Sequence, residues 1–378
     1  MEFEWSSEDL AFRKELKAFL DEELPGYQEF FDLPAKERHE FSKAFAKKLA
    51  ERHWLTPAWP RKYGGQEQSA FQQLILSEEM IAHGEPRTGM YMNVNWVGPA
   101  IILAGSEEQK NYHLQRMSRG DVMWCQGFSE PDSGSDLASL RTRAIRDGDE
   151  YVVNGEKIWT SNAGVAEFIF LLARTNVDVA KQNGISIFLV PIDAPGIEVR
   201  PVHGVIDDGE FYHLTFTDVR IPASCRLGEE NEGFRIVRSA LALERSGIAR
   251  YHRAAGYLDR VAGWAKERGL LQESRVVDAL ASARASCEAA RVLIYRVLDE
   301  RKHGKQPLLT AFTYRVATVR AEREVMNAAF EIMGADGLAW RSFADCQFEW
   351  AVTAGIAGGS YEMNLNSIGR QIGLHKAG

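Results

Sequence analysis

Gln126-Gly127-Phe128-Ser129-Glu130-Pro131-Asp132-Ser133-Gly134-Ser135-Asp136 is the stretch whose reading decides the fold. It sets hydroxyls at Ser129, Ser133 and Ser135 around Gly127 and Gly134, where bare backbone lets amides approach a ligand closely. Alone, such a loop is equally a plain turn. A second loop, Ile158-Trp159-Thr160-Ser161-Asn162, follows in the same strand-like region. Tryptophan beside two hydroxyls and an amide suits an aromatic ring system edged with hydrogen-bonding atoms, although a lone strand tryptophan is commonly core.

Working outward, the sequence from Met123 to about Leu227 is a series of short runs rich in β-branched and aromatic residues: EYVVNG, EFIFLLAR, ISIFLVP and HLTFTDVRIP. Gly, Asn, Asp and Pro punctuate them, as in antiparallel strands and turns. Within DEYVVNGEKIW, Asn154-Gly155 predicts the tight turn of a hairpin. On the N-terminal side, helical spacing recurs over 8–20, with Ser6 or Ser7 as cap, and over 34–52, 70–82 and 106–117. On the C-terminal side it returns after Gly233, over about 234–268, 274–303 and 307–334, then near 341–356 and after Gly359. Gly269, Gly304 and Gly337 stand where helix ends are expected. The fold class expected is α+β: an N-terminal helical domain over 1–120, a middle antiparallel β-barrel or sandwich over 121–228, and a C-terminal helical bundle over 229–378.

Composition narrows the function classes. The 378 residues are 45% hydrophobic and 26% charged, enough to build a substantial core. A formal net charge of −8 and the lack of any Lys/Arg run argue against a nucleic-acid binder. A phosphorylated ligand is still compatible, because local amides and a few arginines can hold one. Cys125, Cys225, Cys287 and Cys346 are widely spaced with no CxxC pair, so neither a metal site nor a disulfide framework is expected. No apolar stretch is long enough to span a bilayer, and the acidic MEFEWSSEDL reads as no leader, so the expected location is cytoplasmic.

Taken together, SEPDSGSDLASLRT and NGEKIWTSNA resemble the β-domain signature of the acyl-CoA dehydrogenase family. WPRKYGG and GSEEQKNYHL resemble that family's N-terminal loop and helix start, and the segment Leu241 to Ala249 (LALERSGIA) resembles its third-domain opening. The resemblance implies an FAD cofactor, an acyl-CoA substrate and an electron-transfer flavoprotein as electron acceptor. It implies Phe128 and Ser129 at the flavin's pyrimidine edge, with Gly134 in the same cofactor loop. Ser135 would face the FAD pyrophosphate and the acyl-CoA, and Trp159 and Ser161 would lie along the flavin near N5. FAD is expected between the β-domain and the C-terminal helices.

Dehydrogenation of this kind needs a carboxylate to take the α-proton, and burial raises a glutamate's pKa towards that task. Many relatives carry the base in a Tyr-Glu-Gly-Thr loop, but here that segment is Ala357-Gly358-Gly359-Ser360 and the position is Gly358. Isovaleryl- and long-chain-type relatives instead use a glutamate just before an arginine, which corresponds to Glu244-Arg245. A helical Glu-Arg pair is usually a solvated surface. Among Leu241, Leu243, Ile248 and Ala249, however, an unpaired glutamate would be costly without a purpose. By resemblance Glu244 is the base, Arg245 and the Gly358 amide serve the substrate, and Ser360 and Glu362 match FAD contacts.

Three segments depart from the family pattern: 266–272, which lacks Phe-Gly, 331–337, and Glu349-Trp350 in place of an Arg-Asp pair. All lie where the resemblance would have a second subunit complete the cofactor site. They suggest the divergent bacterial branch that handles sterol side chains and other bulky acyl groups. The assembly expected is a homodimer, a homotetramer or an α2β2 heterotetramer. The alternatives are a subunit that needs a partner chain to complete the FAD site and a flavin monooxygenase on the same fold. Retention of Ser129, Ser135, Trp159, Ser161 and Glu244 argues against a partner subunit without chemistry.

Overall fold

The computed structural model describes residues 5–26, 30, 33–205, 211–244, 249–339 and 343–374, with 35, 241–244 and 343–346 as backbone alone. In chain order the helices are α1 (Ser7–Glu23), α2 (Ala35–Glu51), α3 (Ala70–Ala82), α4 (90–104) and α5 (107–118). They continue after the strands as α6 (Gly233–Glu244), α7 (Arg250–Glu267), α8 (Ser274–Lys302), α9 (Leu308–Met333), α10 (Phe343–Thr353) and α11 (Tyr361–Gln371). The strands are β1 (Trp124–Gly127), β2 (Arg143–Asp147), β3 (Glu150–Lys157) and β4 (Phe168–Arg174), followed by β5 (Ile185–Pro191), β6 (Ile197–Val202), β7 (Phe211–Pro222) and β8 (Arg226–Leu227).

The chain divides into two compact units, one of Met1–Tyr27, Ala70–Glu85 and Arg245–Gly378, the other of Gln28–Ser69 and Pro86–Glu244. The early helices are thereby shared out: α1 and α3 belong with the C-terminal helices, while α2, α4 and α5 belong with the sheet.

The first unit is helical. Ser6 caps α1 in a reciprocal box, its Oγ accepting the Asp9 N–H at 3.1 Å while Asp9 Oδ2 accepts the Ser6 N–H at 3.1 Å. Helices α7, α8 and α9 pack on one another through Ala254, Leu258, Val261, Cys287, Val325 and Ile332, all buried. Gly269 and Gly304 end α7 and α8 in the left-handed conformation, as expected. Gly337 does not end a helix. Helix α9 stops at Gly334 (φ +55), and Gly337 lies buried in the short 3₁₀ turn beyond it.

In the second unit the strands form one eight-stranded sheet in the order β6-β7-β3-β2-β4-β5-β8, with β1 on β4. Strand β4 buries both faces. Phe168, Phe170 and Leu172 join Trp96, Ile101 and Val237 from α4 and α6, while Ile169, Leu171 and Ala173 join Phe188 and Leu214 on the other face. Burial on both sides explains why FIFLLA is an unbroken apolar run. The sheet is antiparallel except that β1 runs parallel to β4 in full register and β2 meets β4 in a single parallel pair.

The Asn154-Gly155 hairpin turn is corrected. Strand β3 runs straight through these residues, and the hairpin turn is at Gly148 (φ +62), between β2 and β3. Asn154 instead clasps an irregularity in β7, where Val153 pairs with Val219 but Gly155 pairs with Phe216. Its Nδ2 donates to Asp218 Oδ1 at 3.0 Å and its Oδ1 accepts the Asp218 N–H at 2.9 Å, holding Asp218 at φ +48.

Candidate active site

The two loops that the sequence singles out leave the sheet side by side, the first after β1 and the second after β3. They are joined directly, since the Ile158 N–H donates to the Ser129 carbonyl at 2.9 Å. Beneath the junction lies a buried ion pair. Lys157 is fully buried and Glu130 is 7% exposed, with Nζ 2.8 Å from Oε1. Lys157 Nζ also donates to the Phe128 carbonyl at 3.0 Å. The Glu130 carboxylate accepts the Thr142 N–H at 2.8 Å and the Arg141 N–H at 2.6 Å, so its charge is well satisfied.

Burial pulls the Lys157 ammonium down to about 8 against the raising effect of the Glu130 charge. Burial also pushes the Glu130 carboxyl upward, but the Lys157 charge and the hydrogen bonds from Lys157, Thr142 and Arg141 outweigh it and leave the group below its ordinary range. Both groups are therefore charged at neutral pH.

Farther along the first loop, Glu130 and Ser133 exchange backbone hydrogen bonds of 2.9 and 3.0 Å, and Ser133 Oγ donates to the Asp136 carbonyl at 3.0 Å. Asp136 in turn holds Ser139 Oγ and Lys181 Nζ, each at 2.6 Å. Gly134 and Ser135 are exposed at the tip, and nothing lies within 4 Å of a Cβ added at Gly134. In the second loop Trp159 is 54% exposed at φ +59, its ring edge-on to Phe211 at 5.8 Å. Thr160 is fully buried, its N–H on the Tyr212 carbonyl at 3.1 Å and its Oγ1 without a partner among the described residues. Ser129 and Ser161 are half-buried, and Phe128 packs on Phe170 at 5.8 Å.

The second unit thus brings Phe128, Ser129, Trp159 and Ser161 together and sets Gly134 and Ser135 at the tip of the same loop. An exposed indole, open glycine backbone and the half-buried hydroxyls of Ser129 and Ser161 form a donor set that fits a flat, acceptor-edged heterocycle such as a flavin. The sequence reading missed Glu130 and Lys157, which hold the set in place. A signal was present: Lys157 has the same strand parity as Tyr151 and Val153, and a lysine on an inward face needs a partner.

Glu244 is the last residue of α6, and its side chain and all of Arg245 lie outside the described residues. Gly358, Ser360 and Glu362 fall together in the first unit. Gly358 and Gly359 adopt φ +72 and +87. A Cβ at Gly358 would sit 3.8 Å from both Arg250 Nη2 and Arg315 Nε, so the backbone conformation, not space, calls for glycine there. Arg315 Nη2 donates to the Ala354 carbonyl and, at 2.6 Å, to the Ala357 carbonyl. Asn364 Nδ2 closes the turn from the other side, donating to the Gly359 and Ser360 carbonyls at 2.8 and 2.9 Å. Ser360 caps α11, its Oγ accepting the Met363 N–H at 3.2 Å, and Glu362 is exposed in the first turn. Arg315 and Asn364 carry no sequence signal, since both act on backbone carbonyls.

The chain matches the acyl-CoA dehydrogenase N-terminal domain over residues 6–121, the middle domain over 125–219 and the C-terminal domain over 231–373. It is 37% identical to the acyl-CoA dehydrogenase FadE26 of Mycobacterium tuberculosis over 67% of this chain, an alignment that spans 64% of that protein's length. Among solved structures it is similar to the Tcur3481-Tcur3483 steroid ACAD (TM-score 0.88, 29% identity, 100% of both chains). It is equally similar to the ChsE4-ChsE5 complex from Mycobacterium tuberculosis (TM-score 0.88, 30% identity, 100% of both chains). The chain belongs to the acyl-CoA dehydrogenase family, whose members are FAD-dependent oxidoreductases acting on CH–CH bonds.

Proposed function

We propose that this chain catalyses the α,β-dehydrogenation of an acyl-CoA thioester to the trans-2-enoyl product, with Glu244 as the base that takes the α-proton. The observation that carries the reading is the pair of tied loops that leaves Trp159 exposed, with Ser129 and Ser161 half-buried, over a buried ion pair. Phe128, Ser129, Trp159 and Ser161 would hold the flavin ring, Gly134 and Ser135 the approach to its phosphates, and Ser360 and Glu362 its remaining contacts. Bound FAD supplies the acceptor for the β-hydride.

The protein's own part is to position, to remove a proton and to stabilise charge. The Gly358 N–H, in a turn fixed by Arg315 and Asn364, would donate to the thioester oxygen as charge develops there. Arg245, next to the base, would serve the acyl-CoA. A carboxylate base serves best where water is excluded, since desolvation favours its protonated form. Glu244→Gln should keep the fold and bound FAD but lose flavin reduction by acyl-CoA by at least ~100-fold. Near-normal reduction in that variant would remove the assignment.

A bulky, steroid-derived acyl group is the substrate class favoured, because a structural neighbour that aligns over the whole of both chains is a steroid ACAD. The other neighbour is a complex of two named components, which supports a heteromeric assembly as the first alternative to a homo-oligomer. Exposed Val352, Ile356, Leu365, Ile372 and Leu374, on and around α10 and α11, provide apolar surface that a partner chain would cover. Electrons would pass to an electron-transfer flavoprotein. Among the described residues no helix is long and apolar enough to cross a membrane.

A further inference from the structure

We propose that Lys157 is a positioning residue for the flavin ring, acting through the peptide bond between Phe128 and Ser129. The proposal rests on the reading that Ser129 faces the flavin. The Phe128 carbonyl accepts from Lys157 Nζ at 3.0 Å and is thereby turned inward, onto the buried pair. In a trans peptide the next N–H points the opposite way, so the Ser129 N–H is turned away from the ammonium. That N–H has no acceptor among the described residues, whereas the Ser129 carbonyl is occupied by the Ile158 N–H at 2.9 Å. The ammonium therefore fixes which face of this peptide is offered as a donor.

Glu130 keeps the ammonium in place. With Oε1 on Nζ and both oxygens on the backbone N–H groups of Arg141 and Thr142, the carboxylate ties Lys157 to the segment entering β2. A neutral side chain at 157 would fill the space but leave the Phe128 carbonyl buried without its donor, and the peptide would be free to rotate. A donor held at the pyrimidine edge stabilises the negative charge that the ring gains on reduction. Lys157 therefore sets both flavin affinity and flavin potential, although it lies beneath the loop.

The test uses the full-length protein. The double variant Lys157→Met/Glu130→Gln leaves no buried charge unpaired. It should fold, bind FAD at least tenfold more weakly and show a lower midpoint potential for bound FAD. Lys157→Arg, which keeps a cationic donor, should restore part of both. Wild-type affinity and potential in the double variant would overturn the proposal. So would equal losses in Lys157→Met and Lys157→Arg, the mark of a packing role, and that pair decides the matter if the double variant does not fold. Ser129→Pro removes the N–H itself. Unchanged FAD affinity and potential in that variant would refute the Ser129 contact, a failure of the parent reading distinct from a failure at Lys157.

Discussion

The loop after β1, in the second unit, and the loop before α11, in the first, are held by different physics. The first is shaped by a fully buried lysine whose charge is matched by Glu130. The second is shaped by two glycines at positive φ, with Arg315 and Asn364 on its carbonyls. One depends on a charge that burial weakens, the other on a backbone conformation that most side chains resist. The two should therefore fail under different perturbations.

The largest break is expected at the charged loop. Lys157→Met alone strands the Glu130 carboxylate in the core, and the loss should be about 3–5 kcal/mol in urea unfolding, with the Glu130→Gln partner change recovering much of it. At the glycine loop, Gly358→Ala should cost about 1–2 kcal/mol, because its Cβ meets only ordinary contacts and the penalty is that of the left-handed backbone. That variant should also lower turnover with acyl-CoA while sparing FAD affinity.

pH separates the two loops without mutation. On the proposed role of the Lys157 ammonium, which burial has brought to about 8, affinity should be intact below pH 8 and fall as the proton is lost above it. FAD should bind up to about tenfold more weakly at pH 9 by equilibrium dialysis, and Lys157→Arg should flatten the curve, because a guanidinium stays protonated. The glycine loop, held by Arg315, should not respond in this range. The smallest effect is at Asn154, whose loss frees the Asp218 bulge on the sheet alone. Asn154→Ala should cost about 1 kcal/mol by thermal unfolding and leave both loops working.

The same contrast explains what the sequence revealed. Runs such as FIFLLA and ISIFLVP announced strands because the local pattern of apolar residues is the packing requirement itself. Gly269 and Gly304 announced helix ends because only the backbone conformation matters there. Asn154-Gly155 misled because an asparagine that clasps a bulge on a neighbouring strand has the same composition as one that makes a turn. Gly337 misled because the positive-φ residue that ends α9 is three positions earlier, at Gly334. In the candidate site, the residues of the two loops were singled out by their chemistry together with the family resemblance. Lys157 and Glu130 were not singled out because the two partners stand 27 residues apart, and Arg315 and Asn364 because they act on backbone carbonyls. The sharing of early helices between two units is likewise a property of packing, not of periodicity.

The most direct test of acyl-CoA dehydrogenation is the visible spectrum of the purified protein, recorded anaerobically before and after acyl-CoA esters, straight-chain and steroid-derived, are added. A yellow protein whose flavin band bleaches with one of these esters is the result predicted. A flavin-loaded protein, alone or with a partner chain, whose spectrum is unchanged by every ester would contradict it.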